Sequence, residues 1–232
     1  MGTGRSGLSK GVQNILGKKG KGLFKRYPDI SEAIQIINPN YKDEWKTSSV
    51  PKSDKELYNM YGRNCALVTT AAALQLKGYD VEAMPRDTTW RGFDSVFNYK
   101  WTSENFKSPA DTSRNYSGVP WKENFYNTNR FSASDVKGIT SEISSQMSDW
   151  GTHSFAAMNV GWKGGGAHVI IVYQEKSQTT MIDFQTHSSY TVDEWFKAHP
   201  SAKLDSIGLY RLDNQKINKK ISDLDKIVKR RS

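Results

Sequence analysis

The chain has 232 residues, with 33 Lys or Arg against 24 Asp or Glu for a net charge of +9, and 12% of its residues are aromatic. That length suits one domain with appendages or two very small ones, and the aromatic content excludes a wholly disordered chain. A single cysteine excludes an internal disulfide and any metal site built on several thiolates, and no apolar run is long enough for a membrane-spanning helix.

The charge is concentrated at the two ends. Residues 1–27 carry seven basic side chains (Arg5, Lys10, Lys18, Lys19, Lys21, Lys25 and Arg26) and no acid, while residues 213–232 net +4, which leaves 28–212 at −2. The first segment is Gly-rich, with only brief apolar patches at Val12, Ile15, Leu16, Leu23 and Phe24, and no apolar stretch of the kind found in a secretory leader follows its basic start. Residues 1–28 are therefore expected to form a flexible basic arm, and 213–232 a basic C-terminal helix or tail. Such ends are either solvated or attached to a polyanion such as nucleic acid, or to an acidic protein surface.

Between them, Ile30–Ile37 reads as a short helix opened by Ser31. Ser53-Asp-Lys-Glu56 has the spacing of a capping box ahead of a second helix. Asn64 to Gly78 is the clearest helix in the chain, with Asn64 as its cap, many alanines for close packing, and Gly78 as its stop. Tyr79–Met84 alternates as a strand and ends at Pro85. Residues 86–131, with Trp90, Trp101 and Trp121 among Asn, Ser and Gly, lack periodicity and read as a long insertion over a functional face. Helical spacing returns through Val136, Ile139, Ile143 and Met147. Strands are then expected over 154–161, 167–174 and 179–184, the last two joined as a hairpin, and over 206–212. Thr191-Val-Asp-Glu194 is a second capping box.

Three residues carry candidate chemistry. Cys65 follows the cap of a helix, where unpaired backbone N–H groups and the helix dipole favour the thiolate. His168 opens the AHVIIVY strand after Gly164-Gly-Gly166, and Asp183 ends the strand paired with it. A hairpin brings such side chains together, so Asp183 can orient the imidazole and leave its other nitrogen for the thiol. His153, His187 and His199 are expected in structural or surface roles, with His187 as the rival base. No His, Asp or Glu cluster has metal-ligand spacing and no glycine loop has phosphate-cradle form, so no cofactor is expected.

Tyr61-Gly-Arg-Asn-Cys65 and the helix behind it, ending in Gly78-Tyr-Asp-Val81, resemble the nucleophile block of the papain-fold toxin domains. Gly166-Ala-His-Val-Ile-Ile-Val172 resembles the family's His strand, and Ile182-Asp-Phe-Gln185 its acid block, in the family order over roughly 57–212. Many members have a further cysteine where this chain has Val68, and the Cys-Gly-Ser-Cys-Trp signature of digestive papain relatives is absent. The resemblance implies an α+β, papain-like domain over 29–212, with a Cys-bearing helix packed on an antiparallel sheet. It implies a thiol-dependent amide hydrolase, either a glutamine deamidase or a peptidase, acting on a protein substrate through Cys65, His168 and Asp183. Asn59, Asn64 and Gln185 are implied as oxyanion or supporting groups. Related domains occur in phage head-morphogenesis proteins, so the alternative is a non-catalytic virion module whose basic ends contact the head or its nucleic acid. A toxin would have an immunity protein as a further partner. Substrate, location and oligomeric state are not legible at this stage.

Overall fold

A computed structural model describes residues 10–46, 49–86, 131, 133–217, 221 and 224–231. The expected insertion at 86–131 therefore lies almost wholly outside the described residues. The helices are α1 (Lys10–Leu16), α2 (Leu23–Arg26), α3 (Ile30–Gln35), α4 (Lys55–Tyr61), α5 (Cys65–Leu76), α6 (Val136–Trp150) and α7 (Val192–Ala198). The strands are β1 (Val81–Ala83), β2 (Phe155–Trp162), β3 (Ala167–Glu175), β4 (Gln178–Asp183), β5 (Ser188–Thr191), β6 (Ala202–Arg211) and β7 (Val228–Arg230).

β2 to β6 form an antiparallel sheet in the order β5-β4-β3-β2-β6. Side chains on a strand alternate between faces, and here both faces are apolar. Phe155, Ala157, Val169, Ile171 and Ile182 join one core with α5, whereas Ala156, Met158, Ile170, Val172 and Met181 join another with α6 and α7. Burial on both faces explains why AHVIIVY is an uninterrupted apolar run. The fold is α+β, three layers thick at its centre.

Because α5 is buried along nearly its whole length, it is apolar on every side instead of amphipathic. Its alanines let it lie close to the sheet, and Thr69 Oγ1 donates to the β3 backbone at Val169 O, 3.1 Å away. The helix begins where the sequence predicts, but the Asn64 side chain makes no capping bond. The box expected at Ser53–Glu56 does not form either: a 3-10 turn fills Lys52–Asp54, and α4 starts at Lys55. The Thr191–Glu194 box is complete, with bonds in both directions.

The expectation of a flexible arm over 1–28 is corrected for residues 10–27. Val12, Leu16 and Leu23 are buried in the same core as α5. The glycines that suggested mobility instead permit contact. Gly20 N donates to Gly78 O at 2.8 Å, Gly78 has φ +98°, and a Cβ on it would stand 2.4 Å from Gly20 O. A side chain at Gly78 would force the segment off the end of α5, as would one at Gly22, where a Cβ would stand 2.6 Å from Leu76 O. The C-terminal segment is likewise no loose tail, since β7 pairs antiparallel with β1, matching Val81 to Arg230. Arg26 and Arg231 both reach Asp80, at 2.8 and 3.5 Å, and join the two ends of the chain.

Leu23→Ala tests this correction. A buried leucine truncation costs about 2–5 kcal/mol, which urea unfolding would register, whereas a mobile arm would leave stability within about 0.5 kcal/mol.

Candidate active site

The start of β3 and the end of β4 are neighbours because the two strands form an antiparallel hairpin, and they bring His168 beside Asp183. His168 Nε2 lies 2.8 Å from Asp183 Oδ2, with the two side chains only 14% and 8% exposed. The other carboxylate oxygen, Oδ1, accepts from the backbone N–H groups of Gln185 at 3.0 Å and Thr186 at 3.3 Å. Asp183 is therefore clamped on both oxygens. Burial pushes its pKa up, but His168 and the Thr186 bonds outweigh burial and hold it below the ordinary 3.8.

The first residue of α5 brings Cys65 to the same imidazole. Burial opposes charge on His168, yet the Asp183 carboxylate and the Cys65 sulfur overcome it and raise its pKa well above 6.5. With Nε2 held by Asp183, Nδ1 is the nitrogen left for sulfur. The structure thus groups three residues that are up to 118 positions apart in the chain.

A ladder of aromatic rings backs His168. Trp162, at the end of β2, stacks on it with centroids 6.2 Å apart and planes 25° apart. The ring of Trp162 also lies near-parallel to His199 and Trp195, which stack on each other at 4.4 Å. This wall limits rotation of the imidazole. The sequence reading missed Trp162, although the turn over 163–166 and the β2–β3 hairpin register carry the signal that places it beside His168.

Behind the site lies a network of buried amides. Asn38 Nδ2 donates to Tyr61 O at 3.0 Å and Gln185 O at 3.2 Å, and Asn38 Oδ1 accepts from Asn64 Nδ2 at 3.3 Å. Gln185 Nε2 donates to Gly62 O. Gln185 therefore reaches the turn ahead of Cys65, and neither its amide nor that of Asn64 bonds the imidazole. Asn64 Oδ1 and Gln185 Oε1 are buried with no hydrogen-bond partner among the described residues. Asn59 sits exposed on α4. His187, the rival base, has Nδ1 3.0 Å from Asp43 Oδ1 and Nε2 3.0 Å from Asn38 O, so both its nitrogens face other partners. Asn38 was not singled out from sequence, because a lone Asn in a turn-rich stretch carries no periodic signal.

A family model described as papain fold toxin 1, glutamine deamidase, matches residues 63–187, a span that holds Cys65, His168 and Asp183. The chain belongs to this family. No curated protein and no solved structure matches it. Papain-fold toxin domains of this kind are thereby the frame for the geometry above, and the recognition made from the three sequence blocks is borne out. Among the described residues no group of His, Cys, Asp or Glu could hold a metal ion, and no helix is long and apolar enough to cross a membrane.

The pair His168–Asp183 sets a pH window for stability. The raised imidazole pKa contributes fully below 6.5 and is lost as pH rises through its folded value. The lowered carboxyl contributes above 3.8 and is lost as pH falls through its folded value. Stability from the pair is therefore greatest between these limits. Asp183→Asn should move the His168 titration, followed by NMR, down toward or below 6.5 and cost about 3–5 kcal/mol in chemical denaturation.

Proposed function

We propose that the chain is a thiol-dependent glutamine deamidase that hydrolyses the side-chain carboxamide of a glutamine in a protein substrate. The observation that carries this reading is the shared imidazole: His168 is held by a clamped carboxylate on Nε2 and interacts with the only cysteine of the chain. The family match adds the substrate class.

In this mechanism the proton shared by Cys65 and His168 stays on the imidazolium, which rests against Asp183, as sulfur attacks the carboxamide carbon. The oxyanion that forms is held by the backbone N–H of Cys65 at the start of α5. Of the two side-chain candidates for a second donor, Asn59 is exposed on α4 and the Asn64 amide already donates to Asn38 and to Met84 O, so the Cys65 N–H is the donor assigned. His168 returns its proton to the nitrogen, the C–N bond breaks and ammonia leaves. Water, deprotonated by His168, then attacks the thioester, which releases the carboxylate and regenerates the thiol. Asn64 and Gln185 support the site: Gln185 ties the acid turn to Gly62, three residues before the nucleophile. Trp162 holds the imidazole face.

Mass spectrometry of glutamine-bearing proteins incubated with the chain tests the reading. The expected product gains about one dalton with its backbone uncut, because an amide becomes an acid. Cys65→Ala should abolish the product, and His168→Ala should lower turnover by about 10²–10⁴-fold. Backbone cleavage in place of the mass gain would make the chain a peptidase. Unchanged product with Cys65→Ala would end the thiol mechanism.

A further inference from the structure

A helix-capping residue has extended backbone, and its side-chain oxygen accepts from the N–H of the second or third helical residue. Three helices of this chain start in that way. Asp29, Asp135 and Thr191 have ψ of 118°, 163° and 164°, and they accept from the N–H groups of Ser31, Gly138 and Glu194. Asn64 is as good a cap by residue type, yet at the start of α5 it has φ −104° and ψ 28° and makes no capping bond.

The reason lies in Asn38, which is completely buried. Its Oδ1 accepts from Asn64 Nδ2 at 3.3 Å, and Met84 O accepts from the same nitrogen at 3.4 Å. Asn38 is itself fixed, because its Nδ2 donates to Tyr61 O and to Gln185 O at 3.0 and 3.2 Å. With its nitrogen held on this side, the Asn64 carboxamide keeps Oδ1 buried and without a partner among the described residues. The oxygen that would serve a cap is thus left unbonded, a cost that any buried acceptor without a donor carries. In return the helix end stays open. The backbone N–H groups of Cys65 and Ala66 have no partner among the described residues. A cap oxygen on Ala66 N–H would fill one of these donors and set negative partial charge beside the other. Uncapped, both are available to negative charge, on the Cys65 sulfur and on the oxyanion.

We propose that Asn38 is a positioning residue that holds Asn64 out of the cap of α5 and so keeps the N–H groups of Cys65 and Ala66 open at the nucleophile. Asn38 lies outside residues 63–187, the span matched by the family model. It touches neither the sulfur nor the imidazole and acts through Asn64. This role rests on Cys65 as the nucleophile of the reaction proposed above, whichever amide is hydrolysed.

Alkylation of the full chain by iodoacetamide near neutral pH reads the thiolate, since Cys65 is the only cysteine and no substrate is required. Asn64→Ser and Asn64→Ala both lose the bonds to Asn38 and Met84 O, but only serine is able to cap. Asn64→Ser should therefore react about three- to tenfold more slowly than Asn64→Ala. Asn38→Ala should slow the reaction by releasing Asn64 to the cap. Combining Asn38→Ala with Asn64→Ala should restore the rate of Asn64→Ala alone. A merely structural role for Asn38 gives the opposite order, with the double variant no faster than Asn38→Ala. Thermal unfolding checks that the compared variants are folded, and the pair at position 64 decides the matter even where Asn38→Ala does not fold. Equal rates for Asn64→Ser and Asn64→Ala, with the wild type faster than free cysteine, would overturn this proposal alone. A wild-type rate no faster than that of free cysteine would overturn it together with the thiol mechanism. The expected order of rates without any mass gain in glutamine-bearing proteins would uphold the role of Asn38 and end only the deamidase reading.

Discussion

The Asp183 carboxylate is the fixed point of this molecule. A buried carboxylate without partners is driven to protonate, so its charge survives only where donors surround it. Here an imidazole takes one oxygen and two backbone N–H groups of the following turn take the other. Those donors come from adjacent strands and from the turn after β4, so the charge exists only when the β3–β4 hairpin is in register. The hairpin in turn provides the surface against which α5 lies, and α5 delivers the sulfur. Electrostatics at one oxygen pair is thereby coupled to the packing of the whole central layer.

The amide network extends the same constraint to the nucleophile. Gln185 follows Asp183 by two residues and donates to Gly62 O, while Asn38 holds both Gln185 O and Tyr61 O. One side of this lattice is the acid turn and the other is the turn that starts the Cys65 helix. The distance between acid and thiol is set by amide bonds as well as by apolar contact, and such bonds are directional where apolar contact is not. Two amide oxygens in the lattice lack partners among the described residues, a cost accepted next to the reactive groups.

Much of this was legible in the sequence, for identifiable reasons. The α5 helix, the AHVIIVY strand and the 191–194 capping box each carry strong local signals, and the order Cys, His, Asp follows from them. The ends were misread because glycine has two uses. In residues 10–27 it looked like freedom, whereas Gly22 serves close backbone approach to Leu76 O, a purpose visible only once the other partner is placed. The pairing of β1 with β7 was equally hidden, since three-residue strands almost 150 positions apart leave no periodic trace. The Ser53 box failed because a local motif competes with the 3-10 turn at that point, where Asp54 turns its carboxylate to Lys42 and Trp45. Asn64 took the cap position without the cap bond, drawn inward by Asn38.

That long-range pairing bears on how the chain is made. A ribosome releases residues in order, and β1 emerges long before the strand that completes it. Until residues 224–231 are synthesised, the layer over the outer side of α5 lacks Leu224, Ile227 and Val228, all buried in the finished core. The nucleophile helix is therefore half-covered until these residues have emerged, and its assembly into a working arrangement waits for them.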